Sequence, residues 1–141
     1  MFPNNRYRFH DLGLLLLRVG IGVMFMVHGY PKLMGGPEAW AGLGGVMGKV
    51  GLHFAPALWG FLAALAEFGG GLLLALGLFF RLASFGLLCT MIMATVMHLS
   101  KGDGFSDYSH ALESAFVFLG LLFAGPGRYS FDDRLFGTRP R

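Results

Sequence analysis

Residues 55–80 read APALWGFLAALAEFGGGLLLALGLFF, and Glu67 is the only charged residue among them. A helix needs about 20 apolar residues to cross the hydrocarbon core of a bilayer. This stretch is longer than that, and Pro56 stands in its first turn, where proline is tolerated. The stretch therefore predicts a transmembrane helix with one carboxyl group near its middle.

Three further segments have the length and apolar character of membrane spans, at residues 12–34, 82–100 and 109–124. The 141-residue chain is 55% hydrophobic and only 13% charged, whereas soluble domains carry about 25% charged residues. A soluble globular protein is therefore excluded. With a tail at residues 125–141, the sequence predicts an all-α integral membrane four-helix bundle that forms a single membrane domain over residues 1–141.

The basic residues predict how the chain is oriented in the membrane. Four spans place both termini and the turn between the second and third spans on one side. That side carries seven basic residues, which are Arg6, Arg8, Arg81, Arg128, Arg134, Arg139 and Arg141. The opposite side carries three, which are Lys32, Lys49 and Lys101. The positive-inside bias puts both termini in the cytoplasm. Because the cations flank apolar helices and form no basic stripe, no nucleic-acid partner is expected.

The connection between the first two spans, residues 35–54, is rich in glycine. It also contains apolar residues at helical spacings, which are Trp40, Leu43, Val46, Met47 and Val50. This pattern predicts a short interfacial helix that lies on the membrane between the two spans and anchors the connection there.

The ionisable residues inside the spans share helix faces with small residues, which favour close packing between helices. In the second span this face consists of Gly60, Ala63, Ala64, Glu67, Gly70, Gly71, Leu74 and Gly77. In the first span it consists of Arg18, Gly22, Phe25, Gly29 and Lys32, with His28 at its edge. At about 1.5 Å per residue, Glu67 lies near the membrane midplane. The outer half of the bundle holds five other ionisable residues, which are His28, Lys32, His98, His110 and Glu113. The sequence therefore predicts one polar pocket that opens to the extracytoplasmic side.

For most of these residues, a structural role is an alternative to a role in proton exchange or ligand binding. Glu67 either exchanges protons or binds a ligand, or it is a structural partner of Arg18 or a protonated carboxyl bonded to a neighbouring helix. Arg18 and Lys32 lie close enough to the ends of their span to extend toward the membrane surface. His110 and Glu113 resemble half of a carboxylate metal site, but Glu113 also complements the positive N-terminal end of the fourth helix.

No metal or haem site is expected, because the spacing of the histidines does not require a metal. Cys89 is the only cysteine, so no disulfide forms within one chain. Its position deep in the third span predicts an apolar packing residue.

A series of short motifs runs through the chain. In chain order they are LLRVG at 16–20, HGYPKL at 28–33, AEFGGGLL at 66–73, GLFFRLA at 77–83, His98, Glu113 and GPGRYSFD at 125–132. Their order resembles that of the DoxX family of small bacterial membrane proteins, over about residues 12–136. The four-helix architecture of that family agrees with the predicted spans.

The resemblance implies a bacterial inner-membrane protein in a quinone-linked redox system. Family members are the membrane subunit of a thiosulfate:quinone oxidoreductase or act in oxidative-stress defence and quinone detoxification. The resemblance carries over to His28, Lys32, Glu67, Arg81, His98 and Glu113. In this hypothesis the catalytic, proton-supplying residues are Glu67, His28 and His98. The substrate-binding residues, facing a quinone or a small anionic sulfur species, are Lys32, Arg18, Glu113 and His110.

No residue of this chain transfers electrons, so quinone chemistry also requires a bound cofactor or a soluble redox protein partner. Two alternatives to a quinone-reactive subunit stay open. The first alternative is a non-catalytic anchor or assembly subunit whose tail, residues 125–141, recruits such partners. The second is a small-solute or proton pathway, which would require a homo-oligomer at this chain length.

Overall fold

The computed structural model describes residues 9–137, which form only helices and connecting turns. In chain order the helices are α1 His10–Met34, α2 Gly36–Gly44, a 3-10 helix Gly45–Val50, α3 Pro56–Leu76, α4 Phe80–Lys101, α5 Phe105–Ala124 and α6 Phe131–Phe136. The predicted all-α class is confirmed for this part of the chain. Four arginines that support the expected orientation lie outside the described residues, namely Arg6, Arg8, Arg139 and Arg141. The cytoplasmic location of both termini stays a prediction.

Three helices, α1, α3 and α4, are long and apolar enough to cross a membrane. Many of their large apolar side chains face outward, including Leu16 and Leu82, which are 66% and 68% exposed. Such a surface is stable in lipid and unfavourable in water. The helix α5 has 20 residues, but its first half carries Asp107, His110 and Glu113. The fourth span therefore stays a prediction.

Two helix ends differ from the expected spans. The second span was expected to reach Phe80, whereas α3 ends at Leu76 and Gly77 turns the chain at φ 68°. Apolar composition does not reveal this turn, because the residues on both of its sides are apolar. The fourth span was expected from Ser109, whereas α5 begins at Phe105. There the Asp107 carboxylate accepts the backbone N–H of Gly104 at 3.1 Å, which satisfies a free donor at the helix start.

The first and third helices pack together through their glycines. A Cβ atom added to Gly22 would lie 2.5 Å from the carbonyl oxygen of Gly71, and one added to Gly29 would lie 2.5 Å from the backbone nitrogen of Phe68. Only hydrogen atoms fit between the two backbones at these points. The glycines expected on these faces are buried in both helices, together with Arg18 and Glu67, whereas Lys32 at the end of the α1 face is exposed.

The connection between α1 and α3 is helical, as expected, but it packs against other helices. The α2 backbone lies directly against α3, where Trp40 leaves no room for a Cβ atom on Gly60. The Trp40 ring also meets the Phe61 ring edge-on at 4.9 Å, and its indole N–H donates to the Lys32 carbonyl at 3.0 Å. This connection therefore covers part of the helix assembly. Its position relative to the membrane surface stays a prediction.

The interior shared by α1, α3, α4 and α5 is mainly apolar, although Arg18, Glu67 and Ser84 are also buried. Its fully buried large side chains include Leu74, Phe80, Leu87 and Phe118. The rings of Phe25 in α1 and Phe118 in α5 touch edge-on, with centroids 4.9 Å apart.

Residues 125–137 fold back onto the end of the assembly that carries the α3–α4 turn, here called the tail end. The Asp132 carboxylate accepts the backbone N–H groups of Phe79 and Phe80 at 2.8 and 2.9 Å. Phe79 has a positive φ of 45°, a strained conformation for a bulky residue. The two hydrogen bonds hold this strained start of α4 in place. The end opposite the tail end, with α2 and the α4–α5 turn, is here called the loop end.

Candidate functional site

A cavity of about 500 Å³ lies between α1, α4 and α5 toward the loop end, and it is here called the first cavity. Its walls are mostly apolar and include Met24, Phe25, Met91, Val117 and Phe118. Five of the seven site residues expected from the sequence line it, which are His28, Lys32, His98, His110 and Glu113. An apolar enclosure with a few convergent polar groups is the usual form of a small-molecule site.

Lys32 and Glu67 form an ion pair between α1 and α3. The ammonium donates to Oε1 and Oε2 of Glu67 at 2.9 and 2.7 Å. The Glu67 side chain is 6% exposed and the Lys32 side chain 41%. Both oxygens of a buried carboxylate are thereby paired with a cation, as burial of a charge requires. Glu67 points into the helix assembly, as the sequence predicted.

A second cavity, of about 360 Å³, lies between the 3-10 helix, α3 and α4. Glu67 lines this second cavity and does not line the first. Lys32 and Ala94 line both. The ion pair therefore stands where the two cavities adjoin, and the single expected pocket is two adjoining spaces.

Two of the three histidines on the first cavity are held through Nδ1. His28 Nδ1 lies 2.8 Å from the carbonyl oxygen of Met24, and His98 Nδ1 lies 2.7 Å from Oδ2 of Asp103. A carbonyl or an ionised carboxylate only accepts, so Nδ1 carries the hydrogen in both rings. Among the described residues, the Nε2 atom of each ring makes no hydrogen bond.

Comparison with known proteins agrees with the motifs. The sequence profile of DoxX matches residues 13–99, which is more than half of the chain. The chain belongs to the DoxX family. The matched part of this DoxX-family protein contains His28, Lys32, Glu67 and His98, and it ends before α5.

Several bacterial relatives are similar to nearly the whole chain. An uncharacterised protein of Haemophilus influenzae is 32% identical over 139 residues, which cover 94% of this chain and 98% of the relative. Two Escherichia coli inner membrane proteins, YqjF and YphA, are 30% and 28% identical over 89% and 92% of this chain, and over 93% and 99% of their own lengths. No solved structure matches the chain. This DoxX-family protein is a multi-pass protein of the bacterial inner membrane.

Asp103 is a site residue that the sequence analysis missed. Gly102 ends α4 in the left-handed conformation, and the Asp103 N–H donates to the His98 carbonyl at 3.1 Å. This is the Schellman pattern, which brings the second residue after a helix back to the helix's last full turn. The sequence Lys101-Gly102-Asp103 at the end of α4 could therefore have predicted a carboxylate beside His98. Asp107, which accepts the backbone N–H of Gly104 at the start of α5, also lines the first cavity.

Asp103→Asn should weaken the preference of His98 for the tautomer with its hydrogen on Nδ1, without moving the backbone of His98. A neutral amide accepts more weakly than a carboxylate, which removes about 1 kcal/mol of preference for the hydrogen on Nδ1. Nitrogen NMR of protein with isotopically labelled histidine should show the His98 signals shift toward the Nε2–H pattern. Asp107→Asn is the matched control, because that carboxylate makes no hydrogen bond to His98, and its His98 signals should stay unchanged. An unchanged His98 spectrum in Asp103→Asn would contradict the assignment.

Arg18 and Arg81 lie at the tail end and line neither of the two cavities. The Arg18 side chain is buried and donates to the carbonyl of Ala75 at 2.7 Å and to the carbonyl of Tyr129. It therefore fastens α1 to the end of α3 and to the folded tail. Glu67 pairs with Lys32, so the alternative of an Arg18–Glu67 pair is wrong. Arg81 is exposed beside the tail.

Proposed function

We propose that this DoxX-family protein is a membrane subunit of a quinone-linked redox system and that its first cavity holds the quinone head. The observation that carries this proposal is the first cavity itself, a mostly apolar space of about 500 Å³ with three imidazoles, one ammonium group and two carboxyl groups on its walls. A quinone head is flat and apolar, and its carbonyl oxygens need hydrogen-bond donors. The walls offer both features.

The proposed chemistry divides among the residues by position. Reduction of a quinone to a quinol takes up two electrons and two protons. His28 and His98 each take up a proton from solvent on Nε2, while Nδ1 keeps its hydrogen bonded within the protein, and then pass the Nε2 proton to a carbonyl oxygen of the quinone as it is reduced. Lys32 stabilises negative charge that develops on a carbonyl oxygen. Glu67 reaches the first cavity only through Lys32, so its role there is to hold the ammonium in position.

The electrons come from outside the chain, from a soluble redox protein or its cofactor. The same ammonium and imidazoles suit a small anionic sulfur species as the second substrate.

In this proposal α5 is the fourth span of a four-helix bundle, with both termini in the cytoplasm. Phe116 and Phe123 of α5 are 66% and 77% exposed, which suits contact with lipid. The polar first half of α5 lines the first cavity through His110, Glu113 and Ser114. These polar groups therefore face the bound ligand.

A second candidate function, an anchor that recruits a soluble redox protein, is supported by the folded tail. Leu135 and Phe136 in α6 are both 63% exposed, although the neighbouring Asp132 is fixed to the α3–α4 turn. The tail therefore presents apolar groups from a fixed position, as a docking surface would.

Val117→Phe tests the quinone proposal. Val117 lines the first cavity, and a phenyl group there would occupy space that the quinone head needs. Binding of ubiquinone-1 to the protein in nanodiscs, measured by separating bound from free quinone, should weaken at least tenfold. Leu119→Phe is the matched control, since Leu119 is on the same helix and does not line the cavity, and it should bind as wild type does. Unchanged binding in Val117→Phe would overturn the assignment of the quinone to the first cavity.

A further inference from the structure

The first cavity is elongated along the helices. On α1 its lining residues extend from Lys32 at the loop end to Gly20, about 18 Å along the helix axis. On α5 they extend from Asp107 to Phe118, about 16 Å. Gly20 lies near the middle of α1, which runs from His10 to Met34. The cavity therefore begins at the loop end and continues well beyond the length of one ring.

The polarity of the cavity changes along this length. Its ionisable groups are gathered toward the loop end and are His28, Lys32, His98, Asp107, His110 and Glu113. Farther from the loop end, α1 contributes Gly20, Ile21, Met24 and Phe25, and α5 contributes Val117 and Phe118. A ligand that fits both parts has a polar ring at the loop end and an apolar chain that points toward the tail end.

The apolar part of the cavity is open on the side between α1 and α5. Among the described residues, α1 packs along α3 and α5 packs along α4, whereas α1 and α5 do not pack along each other. The ring contact of Phe25 with Phe118 joins them. Gly20 and Met24 line the cavity and are nevertheless exposed. The cavity therefore reaches the outer surface of the assembly through this gap, which is here called the α1–α5 seam.

The seam lies at a depth where the surroundings are lipid. The helix α1 is long and apolar enough to cross a membrane, and the middle of such a helix lies in hydrocarbon. Leu16 and Leu17, one turn from Gly20 toward the tail end, are both exposed. A lipid-soluble molecule can therefore move from the bilayer into the cavity at the level of Gly20 without passing through water.

The second cavity is the other apolar space beside the first, but an ion pair stands between them. Lys32 lines both cavities and donates to both oxygens of the buried Glu67. An apolar chain that left the first cavity by this route would have to pass the pair, and separating a buried ion pair is costly. No ionisable residue lines the first cavity between Gly20 and Phe25 on α1. The seam is therefore the favourable route for an apolar chain.

We propose that the α1–α5 seam is the lateral entrance of the first cavity and holds the hydrocarbon tail of the ligand whose ring lies against the histidines. The ligand is therefore a quinone that resides in the membrane and carries a tail of several isoprene units. This inference rests on the proposed function, including α5 as the fourth span, and it names the substrate class and the route of entry.

Gly20→Leu tests the seam. A Cβ atom on Gly20 would meet nothing within 4 Å, so the helix accommodates leucine and the side chain occupies the seam. Ubiquinone-4 should bind at least tenfold more weakly than to the wild type, because its four isoprene units extend past Gly20. Ubiquinone-1 should change by less than about threefold, because Gly20 is about 12 Å along α1 from His28 and a single isoprene unit ends short of it.

Both quinones are titrated into the whole protein in nanodiscs of one lipid composition, so that partition of each quinone into lipid is the same for variant and wild type. Nitrogen NMR signals of His28 and His98, which line the first cavity, report its occupancy. Equal weakening of the two quinones by Gly20→Leu, or unchanged binding of ubiquinone-4, would overturn the proposal.

Gly13→Leu is the matched control. Gly13 is seven residues from Gly20 and therefore on the same side of α1. It is also exposed, a Cβ atom there would meet nothing within 4 Å, and it does not line the first cavity. Both quinones should bind to this variant as they bind to the wild type. A loss of ubiquinone-4 binding equal to that in Gly20→Leu would show a general effect of leucine on the helix surface and overturn the proposal.

Alkylation of Cys89 distinguishes the seam from the second cavity. The sequence analysis expected a packing residue here, whereas Cys89 is exposed and lines the second cavity. It is the only cysteine of the chain, so N-ethylmaleimide adds bulk at this one thiol. Binding of ubiquinone-4 should stay unchanged after alkylation. A loss as large as that in Gly20→Leu would place the tail in the second cavity and overturn the proposal.

Val117→Phe separates failure of this inference from failure of the proposed function. Unchanged binding of ubiquinone-1 in Val117→Phe would overturn the quinone site itself, and the seam inference with it. If Val117→Phe weakens ubiquinone-1 while Gly20→Leu does not distinguish the two quinones, the quinone site stands and only the seam inference is overturned.

Discussion

Lys32→Met should destabilise the helix assembly by about 3 kcal/mol, the lower end of the cost of leaving one partner of a buried ion pair alone. The lower end applies because the Lys32 side chain is 41% exposed and part of its charge is already solvated, whereas Glu67 is buried. Methionine keeps much of the length and apolar stem of lysine, so packing is nearly preserved. The free energy of unfolding in mixed detergent micelles, obtained from titration with a denaturing detergent, measures the change.

The double variant Lys32→Met/Glu67→Gln supplies the control. It removes both charges, so it should recover most of the stability that Lys32→Met loses, with a coupling energy of about 2 kcal/mol between the two sites. Glu38→Gln, at an exposed position in α2, should have no effect beyond about 0.5 kcal/mol. Additive effects of the two single changes would show that the pair contributes nothing to stability.

Lys32→Met also bears on the proposed function, because it removes the ammonium from the wall of the first cavity. Ubiquinone-1 should bind more weakly to this variant, and the double variant should not regain that affinity although it regains stability. If the double variant regained both its stability and its affinity for ubiquinone-1, Lys32 would affect binding only through folding.

Gly77→Ala should be more destabilising, by about 3–4 kcal/mol, through strain and overpacking together. Gly77 turns the chain between α3 and α4 at φ 68°, a conformation that alanine adopts only with strain. A Cβ atom there would also lie 2.5 Å from the Arg18 guanidinium and 2.6 Å from the Cβ atom of Ser130. The methyl group would therefore push apart α1, the α3–α4 turn and the folded tail.

Gly102→Ala is the matched control that separates overpacking from backbone strain. Gly102 ends α4 at φ 76°, and a Cβ atom there would meet nothing within 4 Å. It should lose only the part due to the left-handed backbone conformation, about 1 kcal/mol. The difference between the two variants in the same unfolding titration isolates the contact with Arg18 and Ser130. Similar losses in both variants would show that the tail packs loosely against the turn.

The inward position of Glu67 follows from local sequence. A helix repeats every 3.6 residues, so small residues at steps of three and four around Glu67 place it on the packing face whatever the partner is. The same argument holds for the glycine face of α1. These features were predictable because they depend on one helix at a time.

The partner of Glu67 was not predictable in this way. Arg18 and Lys32 lie on the same face of α1, and either one could meet Glu67 depending on how far α1 slides along α3. The contacts of Gly22 with Gly71 and of Gly29 with Phe68 fix that register. In this register Lys32 reaches Glu67 and Arg18 reaches Ala75.

The sequence by itself determined that this is a helical membrane protein of the DoxX family, with a carboxyl group inside and histidines toward one end. Apolar length, helical periodicity and motif order are local properties, and each is complete within a short stretch of chain. Only the tertiary structure decided that Lys32 is the partner of Glu67, that the space beside this pair is divided in two, and that the tail closes the α3–α4 turn. Those features depend on how backbones separated by tens of residues approach one another, and atomic contacts such as Gly22 against Gly71 set that approach.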